Sequence, residues 1–232
     1  MSPFDRFWSA DRSLSVLLLL LCLVIFVIRP LRDLDVAGTG LVGLVFSLFL
    51  ISGVGAVAKS PLATVLVGGV MLTALAVRWL RFWLGGAPLT MLDLSFSTLF
   101  CTILAVVVLT QVFREGPITS QRIEGAVAVY LLLGLAFAFA YAVIDLRWPG
   151  AFVPAAPTAL IAHDDAVSRF MYFSFVTLTT TGYGDITAVH PVARSLVSME
   201  ALAGQLYPAI LLARLVSMEL YFRQGWPRDA DE

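Results

Sequence analysis

Charge is scarce in this sequence. Of the 232 residues, 15 are basic and 16 are acidic, so charged side chains make up 13% of the chain, against about a quarter in soluble domains. The mean hydropathy is +0.91, and long uncharged runs separate the charges. A soluble domain of this length would need more polar side chains to cover its surface. The composition therefore indicates an integral membrane protein.

Two further scarcities narrow the possible functions. The formal net charge is −1, whereas a nucleic-acid-binding protein needs an excess of basic residues on one face. The chain has only two cysteines, Cys22 and Cys101, and both lie inside apolar runs. A disulfide framework or zinc site therefore has no support, and we expect both thiols to be buried as small apolar side chains. We expect no cofactor.

Six stretches with few or no charges are candidates to cross the membrane, which takes about 20 apolar residues in a helix. They lie at residues 13–28, 36–58, 62–77, 91–113, 123–144 and 191–220. We expect the first to be short, with Arg12 and Arg29 reaching the membrane surface from its ends. No small-residue cleavage site follows it, which favours a retained helix over a signal peptide. The predicted fold is an all-α integral membrane protein with six transmembrane helices.

The pattern changes between the fifth and sixth stretches. Residues 148–157 contain three prolines and are predicted to form a loop. Residues 170–181 are rich in aromatic side chains, too short to span, and followed by a Gly-Tyr-Gly triplet. We predict a re-entrant half-helix, because irregular backbone at membrane depth is tolerated only where protein or water shields it. Asp164 and Asp165 are expected to cap this half-helix. His163 and His190 are interpreted as solvated loop residues, with proton sensing as the alternative.

The segment that follows the half-helix carries the chemistry. It reads Thr179-Thr180-Thr181-Gly182-Tyr183-Gly184-Asp185. This string resembles the selectivity filter of the potassium channel family, in particular its prokaryotic six-transmembrane, single-filter members. A dehydrated potassium ion needs a shell of oxygen atoms, which four chains supply as a ladder of carbonyls. Consecutive residues in such a ladder alternate between ordinary and left-handed backbone conformations, and glycine adopts the left-handed one at little cost.

The resemblance implies a role for each filter residue. Potassium would contact the carbonyls of Thr180, Thr181, Gly182 and Tyr183 and the Thr180 hydroxyl, with Gly184 completing the filter and Asp185 at the outer mouth. Tyr183 would brace the filter against Tyr172 and Phe173, supported further by Thr179 and Glu200. One residue departs from the family pattern: Thr181 stands where valine is usual, and its hydroxyl would change hydrogen bonding behind the filter.

Three features of the last predicted helix bear on gating and support. Gly204 matches the family's hinge glycine, and Pro208 frees the carbonyl of Gly204, so we predict a bend there; close helix packing at a small residue is the alternative. Leu212 and Val216 share one face and would close an apolar gate by dewetting, with gating at the filter as the alternative. Glu200 is an intramembrane carboxylate, predicted either to brace the pore helix or to be protonated and structural.

The first four predicted helices lack a conventional voltage sensor. The fourth, residues 91–113, contains no arginine or lysine, and steep voltage dependence needs several charges, each worth about 2.3 kcal/mol per 100 mV. Arg78 and Arg81 at the end of the third helix are interpreted as membrane-interface anchors. We also hypothesise that Asp93 pairs with one of them.

Together these features define the predicted protein. It comprises a cytoplasmic N-terminus (1–12), a four-helix sensor-like domain (13–113), a pore domain (121–220) and a short tail (221–232) without room for a cytoplasmic ligand-binding domain. The balance of basic residues, eight against seven, slightly favours cytoplasmic termini. We expect a potassium-selective homotetrameric channel in the lipid of the cell membrane, with a weakly selective monovalent cation channel as the alternative. An enzyme or a secondary transporter would need converging polar groups in the bundle or an inverted repeat. The sequence shows neither.

Overall fold

The computed structural model of the chain describes residues 10–34, 36, 38–57, 61–114, 120–155 and 166–224. His163, Asp164, Asp165 and most of the two predicted terminal segments lie outside these residues. Within the described part, the helices are α1 (Ala10–Leu23), α2 (Arg29–Asp33), α3 (Thr39–Ala56), α4 (Pro61–Leu84), α5 (Ala87–Val112), α6 (Ser120–Arg147), α7 (Ala166–Leu178) and α8 (Pro191–Gln224). Two short strands complete the fold, β1 (Phe152–Pro154) and β2 (Ile186–Ala188). The predicted all-α membrane fold is confirmed.

Five described helical segments are long and apolar enough to cross a membrane. They are Ser13–Asp33, Leu62–Leu84, Ala87–Val112, Ser120–Arg147 and Pro191–Ser217. Each corresponds to one of the predicted spans. The second predicted span corresponds to α3, which has 18 residues and lies at the short end of the spanning range of about 17–25 residues. The count of six spans therefore stays a prediction.

The first helix runs farther than the sequence predicted. A π-helical turn, Val24–Ile28, joins α1 to α2 and carries the helical path through Pro30 to Asp33. The wider turn, closed by the Arg29 N–H on the Val24 carbonyl, relieves the clash that proline makes with the preceding turn of a regular helix. Arg29 is consequently only 6% exposed, so the prediction that it reaches the membrane surface was wrong.

Helix α6 is the centre of the molecule. It contacts α1, α5, α7 and α8, and 67% of its most apolar stretch is buried within the chain. A Cβ atom on Gly134 would lie 2.6 Å from the ring of Phe175, so a glycine is required where α7 crosses α6. The close packing against α6 thus fixes the position of α7, which is the predicted half-helix. It leads to residues 179–185, called the filter segment below.

The interpretation of Arg78 as a membrane-interface anchor was wrong. Helix α4 continues beyond the predicted end to Leu84, and Arg78 is only 8% exposed. Its Nε donates to Asp93 Oδ1 at 3.1 Å, and Arg81 Nε lies 3.1 Å from Asp93 Oδ2. The hypothesis that Asp93 pairs with one arginine is confirmed, with both arginines engaged. Ser97 accepts a further bond from Arg78 at 3.2 Å.

The sequence did not predict the strand pair. β1 and β2 are antiparallel, with Phe152 opposite Ala188 and Pro154 opposite Ile186. Each strand has only three residues, too few to produce a recognisable alternation of apolar and polar positions. The pair connects the loop after α6 to the chain that leaves the filter segment.

Candidate ion-conduction site

The backbone of residues 180–184 alternates between two conformations. Thr180, Gly182 and Gly184 have φ angles of 59°, 57° and 75°, and neither Thr181 nor Tyr183 has a positive φ. The prediction of left-handed glycines at 182 and 184 is confirmed. The left-handed backbone conformation of Thr180 was not predicted, because a β-branched residue in that conformation carries a strain on the order of 1–3 kcal/mol. Such strain is typical of functional segments that the surrounding structure holds in place.

The first half of this segment is hydrogen-bonded to the end of α7. The Thr180 N–H donates to the Thr177 carbonyl at 2.9 Å, and the N–H groups of Thr181 and Gly182 donate to the Val176 carbonyl at 3.0 and 3.2 Å. In a trans peptide the N–H and the preceding C=O point in opposite directions. The carbonyls of Thr180 and Thr181 therefore point away from the half-helix, as an ion-facing ladder requires.

Electrostatics favour a cation at the same place. Helix α7 spans Ala166–Leu178 and ends directly before the filter segment. The carbonyl end of a helix carries a partial negative charge. Since the filter segment begins at that end, the half-helix stabilises positive charge beside the first filter carbonyls.

The threonine side chains behind the filter form a short chain of hydrogen bonds. Thr179 Oγ1 donates to the Phe175 carbonyl at 2.7 Å, which uses its only proton. Thr181 Oγ1 lies 3.0 Å from Thr179 Oγ1, within hydrogen-bond distance. The residue that departs from the family pattern thus adds a hydrogen bond behind the filter, as predicted.

The aromatic residues around the filter have different neighbours within the single chain. The ring of Phe173 packs against Tyr141 and Phe152, with centroid distances of 5.3 and 5.5 Å, and not against Tyr183. Tyr172 and Tyr183 line one open cavity beside the filter, and Tyr183 is 71% exposed. The predicted brace between Tyr183 and Phe173 is therefore not seen within the single chain.

A buried carboxyl group ties three helices together behind the filter. Glu200 on α8 is fully buried; Ser174 of α7 bonds one of its oxygens, and the Tyr141 hydroxyl of α6 donates to the other. Ser174 Oγ also lies 2.7 Å from the Gly134 carbonyl. The predicted contact of Glu200 with the half-helix is confirmed. Sequence reasoning missed Ser174 and Tyr141, because isolated hydroxyls in apolar runs carry no pattern of their own.

Gly204 lies where α8 crosses the end of α7. A Cβ atom there would be 1.9 Å from the Leu178 carbonyl oxygen, and that oxygen also accepts from the Tyr130 hydroxyl at 3.1 Å. Helix α8 continues through Gly204 and Pro208 without interruption. The structure therefore supports the alternative reading of Gly204, a small residue that permits close helix packing. Leu212 and Val216 lie beyond this contact and are exposed in the single chain, and their role as a gate stays a prediction.

Asp185 and His190 lie where the chain leaves the filter. The Asp185 carbonyl accepts from the Ala155 N–H at 2.8 Å, and its Oδ1 accepts from the Ile186 N–H at 3.1 Å. The ring of His190 stacks on Trp148 at a centroid distance of 4.8 Å, and its Nδ1 accepts from the Val192 N–H at 3.3 Å. His190 lies in the loop before α8, as predicted, and is half-buried.

The single chain covers only one side of the site. Residues 179–184 are exposed, and only 11% of the most apolar stretch of α8 is buried. The side of the filter opposite α7 is therefore open. An ion at the filter would need oxygen atoms from further chains to complete its coordination.

Comparison with known proteins assigns a class to this region. Residues 129–220 match the family model described as "Ion channel". This stretch contains most of α6, the half-helix, the filter segment and most of α8. Together with the apolar helices, the match supports a multi-pass membrane protein with an ion-channel domain.

Two curated relatives each match part of the chain. Protein LctB of Bacillus caldotenax is 32% identical over 87 residues, which cover 38% of this chain and 64% of that protein. Protein LctB of Geobacillus stearothermophilus is 33% identical over 86 residues, which cover 37% of this chain and 62% of that protein. The chain thus spans a little under two thirds of the length of these relatives. No solved structure matches the chain significantly.

Proposed function

We propose that the protein is a potassium-selective channel that conducts K⁺ passively through a central pore built from four copies of the chain. The alternating backbone at Thr180, Gly182 and Gly184 is the observation that supports this most directly. It occurs within the Thr-Thr-Gly-Tyr-Gly-Asp string of residues 180–185, in a region that matches an ion-channel family. Carbonyls presented in this way replace the hydration shell of a permeating K⁺.

The proposed assembly is a homotetramer in the cell membrane with both termini in the cytoplasm. Each chain supplies one filter segment, and a ring of four such segments forms a closed coordination shell. The exposed apolar surface of α8 is the surface that the other copies and the pore would cover. A mass measurement in detergent tests this, since a strictly monomeric protein would contradict it.

The proposed channel is not conventionally voltage-gated. Helix α5, the fourth helix of the predicted sensor-like domain, has no arginine or lysine between Ala87 and Val112. Steep gating requires several such charges moving through the membrane field in each subunit. We therefore expect K⁺ conductance to change little between positive and negative membrane potentials.

The decisive experiment is potassium flux into proteoliposomes that contain the purified protein. Gly182→Ala forces a side chain into a left-handed position of the filter, so we expect flux to fall by at least about tenfold. Gly150→Ala is the matched control, because Gly150 also has a positive φ of 86° and lies in a turn outside the filter. Equal flux from the wild type and Gly182→Ala, with the same assembly state, would overturn the proposal.

A weakly selective monovalent cation channel is the second candidate. The extra hydrogen bond between Thr181 and Thr179 favours it, because this bond alters the surroundings of the filter at the position where the family usually has valine. Reversal potentials in opposing K⁺ and Na⁺ gradients separate the two candidates. A reversal potential near the potassium equilibrium value supports the channel proposed here, and one near zero supports the second candidate.

A further inference from the structure

The carbonyl groups at the end of α7 have partners of two kinds. The last four carbonyls of any helix lack a partner within that helix. In α7, the carbonyls of Phe175, Val176 and Thr177 accept from N–H groups of the filter segment at 2.9–3.2 Å. The fourth carbonyl, that of Leu178, accepts from the Tyr130 hydroxyl of α6 at 3.1 Å. A side chain from another helix therefore completes the hydrogen bonding at the start of the filter segment.

The Leu178 carbonyl belongs to the peptide that joins α7 to Thr179, the first residue of the filter segment. The N–H of the same peptide donates to the Phe175 carbonyl at 3.0 Å, so the peptide plane is held at both edges. Leu178 is fully buried, and α8 packs directly on its carbonyl at Gly204, where an added Cβ atom would lie 1.9 Å from the oxygen. A buried carbonyl that loses its donor is costly. The Tyr130 hydroxyl thus fixes the direction of the peptide from which the filter segment starts.

A second tyrosine holds the ring of Tyr130. The ring of Tyr207 on α8 stacks on it, with a centroid distance of 5.8 Å and an angle of 28° between the ring planes. The Tyr207 hydroxyl donates to the Ala126 carbonyl at 2.7 Å, one helical turn before Tyr130 on α6. The side chain of Tyr207 is therefore fixed to α6 by its ring and by its hydroxyl, and Tyr130 keeps its place only while α8 keeps its own.

We propose that Tyr130 and Tyr207 are positioning residues for ion selection, an inference that rests on the proposed channel function. Tyr130 orients the first peptide of the filter segment, and Tyr207 makes this support depend on the position of α8. Both act through the Leu178 carbonyl and not on the ion itself. Ion selection depends on where the filter carbonyls point, so a change in the direction of this peptide changes the preference between ions.

The test uses the full-length protein and measures two quantities. The first is the ratio of Rb⁺ to K⁺ permeability, obtained from reversal potentials in proteoliposomes. This ratio does not depend on the number of assembled channels, so a loss of stability alone leaves it unchanged. The second is the rate of amide hydrogen exchange in peptides that cover residues 179–185. Exchange in α5 is the internal reference, because global unfolding would accelerate exchange in both places.

Tyr130→Phe keeps the ring and removes only the hydroxyl. We expect the permeability ratio to shift, and exchange in the filter segment to rise, each by about two- to tenfold, as the loss of one hydrogen bond implies. Thr73→Val is the matched control, since the described partners of the Thr73 hydroxyl are two carbonyls of its own helix, α4. We expect it to change neither quantity. Wild-type values of both quantities in Tyr130→Phe would overturn the proposal.

Tyr207→Leu tests whether α8 acts through Tyr130. It removes the ring contact and the bond to Ala126, so we expect the permeability ratio to shift by about two- to tenfold. In the Tyr130→Phe background the same change should have a clearly smaller effect, because coupled residues are not additive. Equal shifts in both backgrounds would overturn the role of Tyr207. If Tyr130→Phe fails to assemble, a shifted ratio in Tyr207→Leu supports the proposal, and an unchanged ratio overturns it.

The two measurements separate this inference from the proposed function. A wild-type protein that conducts no K⁺ would overturn the channel proposal. Faster exchange of the filter segment in Tyr130→Phe would then still support the positioning of this segment by Tyr130. A wild-type protein that conducts K⁺, with unchanged ratio and exchange in Tyr130→Phe, would overturn the positioning role alone.

Discussion

Among the described residues, the two membrane regions of this protein each bury one carboxyl group, and they stabilise it in different ways. In the four-helix region, Asp93 is 3% exposed and lies against two guanidinium groups. In the ion-channel region, Glu200 is fully buried and is bonded by two hydroxyls. The first group depends on opposite charge, whereas the second depends on the positions of hydrogen-bonding atoms. Replacing a carboxyl by an amide should therefore have very different effects at the two sites.

The largest expected effect is that of Asp93→Asn. The amide keeps the shape of the side chain but leaves Arg78 and Arg81 without a counter-charge, which costs about 3–5 kcal/mol for a buried pair. The measurement is the thermal unfolding midpoint in detergent. Asp145→Asn is the control, because its ion pair with Arg169 is about one quarter exposed on both sides and should contribute at most about 1 kcal/mol. Similar unfolding midpoints for the two variants would contradict the view that Asp93 is held mainly by opposite charge.

The charge exchange Asp93→Arg with Arg81→Asp sharpens this result. Each single change places like charges together, and the double change restores one opposite pair. We expect the double variant to recover part of the lost stability, with a coupling of about 0.5–3 kcal/mol. Additive losses would show that the contact between Arg81 and Asp93 contributes nothing.

The next largest effect is expected from Glu200→Ala. It leaves Tyr141 without its acceptor, removes one of the two partners of Ser174 and opens a gap behind the filter, so we expect a loss of about 2–4 kcal/mol and a strong fall in potassium flux. Ser198→Ala serves as the control on the same helix, because that exposed hydroxyl bonds only the Arg194 carbonyl. Unchanged flux from Glu200→Ala would show that this contact does not hold the filter.

Thr181→Val is expected to have a smaller effect. It removes the hydrogen bond to Thr179, which contributes about 0.5–1.5 kcal/mol. The ratio of K⁺ to Na⁺ permeability, measured from reversal potentials, should therefore change by no more than about tenfold. Thr102→Val, on the exposed face of α5, provides the control, and a larger change in the ratio would show that this hydroxyl governs selectivity.

The smallest effect is expected from Glu200→Gln, the counterpart of Asp93→Asn. The amide oxygen accepts from Tyr141, and the amide nitrogen donates to Ser174 Oγ while Ser174 gives its proton to the Gly134 carbonyl. We expect a loss of less than about 1 kcal/mol and near-normal flux. A loss as large as that of Asp93→Asn would contradict the distinction between the two regions.

The sequence predicted the features that depend on local pattern. Long uncharged runs indicated the helices, and the glycines at 182 and 184 indicated left-handed backbone. The pairing of Asp93 could be predicted because Arg78 and Arg81 lie only 15 and 12 residues before it, on the other side of the short turn between α4 and α5. In each case the information lies within a short stretch of chain.

The features that the sequence did not predict depend on contacts between distant segments. Thr180 adopts a conformation that a threonine avoids on its own, because the end of α7 holds its neighbours by hydrogen bonds. Tyr141 and Ser174 gain their importance only where α8 places Glu200 between them. Arg29 becomes buried because a π-helical turn carries the chain past Pro30. None of these effects leaves a periodic signal in the sequence.

The strand pair has a mechanical consequence for the filter. Residues 181 and 182 are tied to the half-helix at one end, and Asp185 is tied to Ala155 at the other, where β2 begins. The residues between these two points are thus held by hydrogen bonds at both ends. Any change in the shape of this segment that leaves the helices in place must therefore take place by rotation of the backbone at Gly182, Tyr183 and Gly184.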